Sequence, residues 1–174
     1  MENPDGSSNC TVKGVPVDER SFTYLMQLPR TTAAALTLRA LGGELAEQVP
    51  VPQLRALLYR VGRSIAREHA ADGIKTLAEF EGFASRRLAD LDLGWMQVEE
   101  VSGAVDFLHG AAPLKAWFGA AAAEWSAGLL EGLYAEWMTQ LGADERLDVR
   151  EIEDQTLASG VVRLRFAHES SFGV

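Results

Sequence analysis

The sequence predicts an α+β protein in which helices cover one face of a four-stranded antiparallel sheet. The first half of the chain carries apolar residues at three- and four-residue spacings, the period of amphipathic helices. Two later segments alternate apolar and polar residues around a turn, as β-hairpins do. One long, mostly apolar helix separates them. Two hairpins flanking such a helix can join in one sheet with the helices packed on it.

The totals of the sequence bound its class. Its 174 residues fit one domain, and 25 acidic against 16 basic residues give a net charge of −9. That charge argues against nucleic acid and anionic membrane surfaces as partners, because both require clustered Lys and Arg. The single cysteine, Cys10, cannot form an internal disulfide. The start of the chain has neither a basic region nor an apolar run, so we expect no secretory signal and a cytoplasmic location.

The domain prediction is a flexible N-terminal arm over residues 1–30, a single α+β domain over 31–168 and a frayed tail over 169–174. The arm begins with Gly, Ser, Asn and Pro and then becomes apolar. Its large apolar residues are Phe22, Tyr24, Leu25, Met26 and Leu28. Two interpretations stay open: an arm that is partly ordered on its own domain, or one that reaches a neighbouring subunit or lines an internal surface.

Three helices come next. The first is predicted over about 32–48, capped by Thr31 or Thr32 and weakened at Gly42-Gly43. The second runs over about 52–70, and its predicted buried face is Leu54, Leu57, Leu58, Val61 and Ile65. The third opens with a capping box between Thr76 and Glu79. Its predicted apolar face is Leu77, Phe80, Phe83, Ala84, Leu88 and Leu91.

The period then changes to that of strands. A first hairpin is predicted from strands over 94–101 and 104–109, joined by the turn Ser102-Gly103. A second hairpin closes the chain, with strands over 146–153 and 161–168 and turn residues at Gln155, Ser159 and Gly160.

Between the hairpins, the stretch from Pro113 to Gly142 reads as one long buried helix, with proline in its first turn and glycine just past its end. Its apolar side chains go most of the way round. A helix of this kind must be covered nearly all round, which raises the expectation of a subunit interface. The candidate packing or oligomer-interface residues are Trp117, Trp125, Leu129, Gly132, Leu133 and Trp137. Glu124, Glu131 and Glu136 interrupt the stretch, so we expect no membrane insertion.

Known catalytic patterns are not found in the sequence, and we expect no catalytic, cofactor-binding or metal-binding residues. The histidines His69, His109 and His168 have no metal-ligand spacing, and a structural role is favoured for each. A glycosidase pair could be drawn from the carboxylates Glu99, Glu100, Glu151, Glu153 and Asp154. Such an enzyme needs one acid whose pKa is raised by burial, whereas these residues lie on half-exposed strands beside arginines, which favours a solvated acidic face.

The tryptophans allow two interpretations. Trp95, Trp117, Trp125 and Trp137 could stack on sugar rings, but three of them lie in a helix rich in glycine and alanine. There the large aromatic area favours core or interface packing.

Three patches together resemble the D-subunit family of bacterial cellulose synthase complexes. Residues 57–63, Leu-Leu-Tyr-Arg-Val-Gly-Arg, are similar to a family pattern Leu-Leu-x-x-Val-Gly-Arg. The second patch is Gly94-Trp95, followed by His-Gly-Ala-Ala-Pro at 109–113. The third, the most specific, is Leu-Glu-Gly-Leu-Tyr-Ala-Glu-Trp at 130–137. The similarity spans about residues 32–168.

This resemblance implies a non-catalytic accessory protein that supports export and ordering of glucan chains into crystalline cellulose. It implies a homo-oligomer, a ring-like octamer of dimers, and association with other components of the synthase complex. A proline-rich partner encoded in the same operon, and contact with glucan chains, are implied by the same analogy. Family members have been placed in the periplasm as well as in the cytoplasm.

Three functional hypotheses therefore stay open. The first is an oligomeric scaffold for cellulose secretion. The second is a small-ligand-binding or sensor domain, since helices packed on an antiparallel sheet can enclose an apolar pocket. The third is a carbohydrate-active enzyme that uses the carboxylates named above.

Overall fold

The computed structural model describes residues 33–154, 157 and 160–172. The predictions for the arm, for the caps Thr31 and Thr32 and for the turn residues Gln155 and Ser159 lie outside these ranges. The helices are α1 Ala33–Gln48, α2 Val51–Glu68, α3 Leu77–Asp90, α4 Leu114–Phe118 and α5 Gly128–Gln140. The strands are β1 Trp95–Val101, β2 Ala104–Gly110, β3 Leu147–Ile152 and β4 Val161–His168. Short 3₁₀ helices span Ala120–Glu124 and Glu169–Phe172.

The α+β fold and its sheet are confirmed. The four strands form one antiparallel sheet in the order β1-β2-β4-β3, so the two hairpins meet through their second strands. In this register Phe107 lies opposite Leu164 and Val98 on the two neighbouring strands. Phe107 and Leu164 are fully buried, and the ring of Tyr134 from α5 stacks on Phe107 at 4.9 Å between centroids. The core therefore lies between α5 and the helical face of the sheet.

The predicted long helix is wrong in one respect: it is not continuous. It divides into α4, the 3₁₀ helix Ala120–Glu124 and α5. The break lies at Gly119, whose φ of 87° is in the left-handed region that glycine adopts without strain. The break lets Phe118 pack against Gly42 of α1 and, at 5.4 Å between ring centroids, against Trp125. The end is as predicted, since Gly142 and Ala143 donate to the carbonyls of Thr139 and Met138 in a Schellman motif.

Helix α5 is covered on all sides by its own chain. Every residue from Gly128 to Met138 is buried, including Leu129, Leu133 and Trp137. The apolar excess that suggested a second subunit is therefore used inside one chain. The cover comes from the sheet, from α2 and from α3. Trp137 near the end of α5 makes edge-to-face contacts with Phe80 and Phe83 of α3.

Helices α2 and α5 are in backbone contact along a seam of glycines. A Cβ at Gly62 would overlap the carbonyl oxygen of Leu129, and a Cβ at Gly132 would overlap that of Tyr59. This approach also corrects the predicted face of α2, whose buried residues are Leu54, Leu58, Gly62 and Ala66. Val61 is 38% exposed instead, because the glycine and alanine positions, rather than the large side chains, mark the side that meets α5.

Two further predictions concern the start of α3 and the C-terminal segment of the chain. The capping box of α3 is confirmed: Glu79 N–H donates to Thr76 Oγ1, and Thr76 N–H donates to the Glu79 carboxylate, both at 3.2 Å. The segment expected to fray forms the 3₁₀ helix Glu169–Phe172, which starts with a bond from Glu169 N–H to the carbonyl of Arg146.

We expect Gly132→Ala to lower the free energy of unfolding by about 1–3 kcal/mol, because the added methyl group must force α2 and α5 apart. Alanine is otherwise the better helix former by about 1 kcal/mol, so the sign of the effect tests the seam. Urea unfolding monitored by tryptophan fluorescence measures it.

Gly82→Ala is the matched control. Gly82 lies inside α3, and the nearest atom to an added Cβ there is the flexible end of Arg86 at 3.5 Å. This variant should unfold at a higher urea concentration than the parent chain. Equal stabilisation by Gly132→Ala would contradict the close approach of the two helices.

Candidate functional site

Two buried glutamates in α5 form the charged centre of the helical layer. Glu131 is 3% exposed and Glu136 is 7% exposed. Arg55 of α2 binds both carboxylate oxygens of Glu131, at 3.0 and 2.7 Å, and the N–H of Glu151 donates to the same carboxylate at 2.8 Å. This buried carboxylate accepts a bidentate pair of hydrogen bonds from a guanidinium and one from a backbone N–H, so both of its oxygens have partners.

Two arginines of α2 bind Glu136. Arg63 Nε lies 2.6 Å from one of its oxygens, and Arg67 Nε lies 3.0 Å from the other. Burial opposes ionisation of Glu136, but hydrogen bonds from Arg67 and Arg63 outweigh it and lower the pKa of the carboxyl. Glu136 is thus an anion at neutral pH, and its ion pairs fix α2 on α5.

The ion pairs and the glycine seam share one register. Gly128 meets Arg55, Gly132 meets Tyr59 and Glu136 meets Arg63, and the members of each pair are 73 residues apart along the chain. The two helices therefore run parallel, with close backbone contact on one side of the seam and charge pairs beside it. The two sequence patches at 57–63 and 130–137 are the two halves of this single contact.

A cleft of about 460 Å³ opens where this contact meets strand β3. The cleft is lined by Pro52, Arg55, Ala56, Tyr59, Arg60, Glu131, Asp148 and Arg150. The hydroxyl of Tyr59 donates to Asp148 at 3.0 Å, and burial together with the Asp148 charge raises the pKa of Tyr59 to about 12. Tyr59 therefore stays a neutral hydrogen-bond donor, and the cleft offers polar groups within a lining that is also partly apolar.

A second charge cluster lies on the sheet face turned away from the helices. Asp106 is completely buried there beneath two arginines: Arg165 binds it at 2.7 and 2.8 Å, and Arg163 at 3.1 Å. Arg163 also binds Glu99 at 2.7 Å and Asp154 at 2.8 Å. Hydrogen bonds from Arg165, with those from Arg163, hold the pKa of Asp106 below its usual value.

The carboxylates considered for a glycosidase pair are thus separated. Glu99 and Asp154 belong to the cluster around Arg163, whereas Glu151 binds Arg55 at 3.1 Å on the helical side. Glu100 and Glu153 are exposed. Both buried carboxyls with a shifted pKa, Asp106 and Glu136, are shifted towards the anion, which is the opposite of what a general acid requires.

His109 is the buried histidine, and its hydrogen bonds fix its tautomer. Its Nε2 lies 2.8 Å from the carbonyl oxygen of Leu93, which can only accept, so Nε2 carries the proton. Nδ1 then accepts from the Tyr134 hydroxyl at 2.7 Å. Burial lowers the pKa of His109 to about 4 and raises that of Tyr134, so both stay neutral.

The structure separates the four tryptophans into two groups. Trp125 and Trp137 are buried, and Trp137 Nε1 donates to the carbonyl of His69 at 2.9 Å. Trp117 and Trp95 are partly exposed, and the ring of Trp95 lies across Gly110 on the neighbouring strand. A sugar-stacking role is therefore open only to the second group.

The charged core residues are what sequence reasoning missed. In the sequence, Glu131 and Glu136 count only as interruptions of an apolar stretch. Their signal is nevertheless present, because charges within an otherwise buried helix must be paired, and α2 carries arginines at compatible four-residue steps. In the described part of the chain, no three His, Cys, Asp or Glu residues gather as metal ligands. No helix of that part is long and apolar enough to cross a bilayer.

We expect stability to fall as the pH drops from about 6.5 to about 4, because of His109. Over this range the unfolded chain takes up a proton at His109 and the native chain does not. A pKa lowered from 6.5 to about 4 corresponds to roughly 3 kcal/mol. The lowered pKa of Glu136 adds to the decline at the acid end of this window, because the unfolded carboxyl protonates around its ordinary pKa of 4.5, and that of Asp106 adds around and below 3.8. Urea unfolding at half-unit steps of pH measures the decline.

His109→Gln tests the assignment, since an amide can replace both hydrogen bonds but cannot titrate. The variant should lose most of the slope in the upper part of the range, just below pH 6.5, and keep the decline that carboxylate protonation causes near pH 4. An unchanged slope would assign the effect to other groups.

Comparison with known proteins supplies the family. A family model that describes the D-subunit of cellulose synthase matches residues 21–165, which include both helices of the glycine seam and most of the sheet. Comparison with curated proteins gives no significant match. Because the matched region covers well over half of the 174 residues, the chain belongs to the cellulose synthase D-subunit family and takes part in cellulose synthesis.

Proposed function

We propose that the protein is a non-catalytic scaffold of a bacterial system that synthesises and secretes cellulose. In this role it assembles with itself, as an octamer of dimers, and organises synthase complexes or guides nascent glucan chains into crystalline cellulose. The observation that carries the proposal is the family match over residues 21–165.

The charge arrangement supports a role without catalysis. The most buried carboxylates, Asp106, Glu131 and Glu136, are all bound by arginines that join one element of the fold to another. Such pairs hold helix to helix and strand to strand. A general acid needs a carboxyl that keeps its proton near neutral pH, and the pKa directions of Asp106 and Glu136 are opposed to that.

The partners follow from the same proposal. They are further copies of this chain, other components of the synthase complex, a proline-rich protein of the same operon, and glucan chains. The cytoplasmic location stays a prediction.

We expect the full chain at micromolar concentration to have a mass in solution several times that of one chain. Size-exclusion chromatography with light scattering measures it, and the mass of the proposed octamer of dimers is the expected result. A single-chain mass across the micromolar range would contradict the scaffold proposal.

Trp137→Ala is a control for folding in this measurement. Trp137 is completely buried within one chain, so its truncation should lower the free energy of unfolding by about 3–5 kcal/mol. If Trp137→Ala shows a smaller mass in solution only when it is also unfolded, the smaller mass reflects damage to the core of the single chain.

A second candidate function is a small-ligand-binding or sensor domain, and one feature favours it. A mainly apolar cleft of about 320 Å³ lies between the start of α3, the end of α5 and the sheet. Its lining is Ile74, Lys75, Thr76, Leu77, Phe80, Met138, Leu141, Gly142, Ala143, Leu147 and Phe166. A cleft of this size suits a small apolar ligand with one polar end.

If the cleft binds ligands, saturating fatty acids or aromatic acids should raise the melting temperature by several degrees. Leu77→Arg, which places a charge in the cleft, should abolish that rise. A flat response of the parent chain across such a panel would remove this function.

A further inference from the structure

Helix α1 carries apolar surface that the described chain does not cover. Of its residues only Gly42 is buried, whereas Leu36 is 58% exposed and Leu41 is 51% exposed. These are the two most exposed large apolar side chains among the described residues.

The first eleven residues of α1 are mostly apolar, and its charged residues Glu44 and Glu47 lie in the second half. From Ala33 to Gly43 the helix reads AAALTLRALGG, in which Thr37 and Arg39 are the only polar residues. Its covered side meets Phe118 of α4 at Gly42. The exposed side chains of Leu36 and Leu41 leave apolar surface on α1 that a partner could cover.

Both edges of the sheet are partly occupied by groups of the same chain. On β3 the outward N–H groups of Leu147, Val149 and Glu151 donate to Asp144, Asp148 and Glu131, at 3.0, 2.8 and 2.8 Å. On β1, Glu81 of α3 accepts from the N–H of Val98 at 2.8 Å, and Ser85 donates to the carbonyl of Met96 at 3.1 Å. Strand addition at either edge would break these bonds.

The charges of α1 indicate what covers it. Arg39 lies in its first half and Glu44 and Glu47 in its second half, and none of the three forms an ion pair with a residue that the structure describes. Leu36, Ala40, Gly43 and Glu47 follow one another at steps of four, three and four and therefore share one side of the helix. An added Cβ at Gly43 would have nothing within 4 Å, so another helix can approach closely there.

An antiparallel copy of α1 fits this pattern. A twofold axis near Gly43 places Arg39 of one chain at the level of Glu47 of the other, and the pairing occurs twice. The same axis puts the exposed Leu36 of each chain against the C-terminal end of the other α1. One helix thus supplies both the apolar seam and the complementary charges.

We propose that α1 is the surface on which a second copy of this chain docks, with the two α1 helices antiparallel across a twofold axis. The proposal rests on the self-association proposed above and names the part of the molecule that carries it.

Charge reversal tests this surface. Arg39→Glu and Glu47→Arg, each made alone, place two like charges opposite each other at both symmetry-related contacts of the dimer. Each should raise the midpoint concentration of association roughly tenfold. The double variant Arg39→Glu/Glu47→Arg restores opposite charges and should return the midpoint to that of the parent chain. Light scattering over a dilution series of the full chain gives these midpoints, and circular dichroism checks that each variant is folded.

Val61→Glu is the matched control, because Val61 is exposed and apolar but lies on α2. It should leave the midpoint unchanged. If the parent chain associates and the single reversals have no effect, α1 is not the docking surface while the scaffold proposal stands. Failure of the double variant to recover would overturn the antiparallel arrangement, and a monomeric parent chain would overturn both proposals.

Discussion

The close contact between α2 and α5 is the constraint on which the rest of the structure depends. Gly62 and Gly132 bring the two backbones together, and a side chain at either position would overlap a carbonyl oxygen of the other helix. The close approach buries the positions of Glu131 and Glu136, which then require the arginines of α2. The helix pair also positions Tyr134, whose ring stacks on Phe107 and whose hydroxyl binds His109. These two contacts hold the sheet to the helical layer.

Much of this architecture was predictable from the sequence because local signals agree with it. The capping box at Thr76, the turn at Gly103 and the end at Gly142 each follow from the chemistry of a few neighbouring residues. The break at Gly119 was not predictable in the same way. Glycine permits a left-handed conformation without demanding it, and the demand comes from Phe118 packing on α1, a contact between residues distant in sequence. The exposure of Val61 has a similar origin, since α2 turns its smallest residues towards α5.

The family patterns acquire a physical meaning in the structure. Residues 57–63 and 130–137 are not two separate sites but the two sides of one helix contact, with Gly62, Arg63, Gly132 and Glu136 as its paired elements. The residues of these two family patterns therefore stabilise the fold, and nothing in their contacts points to a chemical reaction. The surfaces outside this contact, which can differ in function, are the cleft beside Tyr59, the outer sheet face with Trp95, and α1.

The capped edges of the sheet have a consequence for how such a protein survives at high local concentration. An open strand is a template for stacking without limit, and chains that gather in large numbers are exposed to that hazard. Carboxylates of Asp148, Glu131 and Glu81 occupy the outward N–H groups of β3 and β1, and a carboxylate offers no donor with which another strand could continue the ladder. These three positions of the edge strands are therefore closed to the addition of another strand.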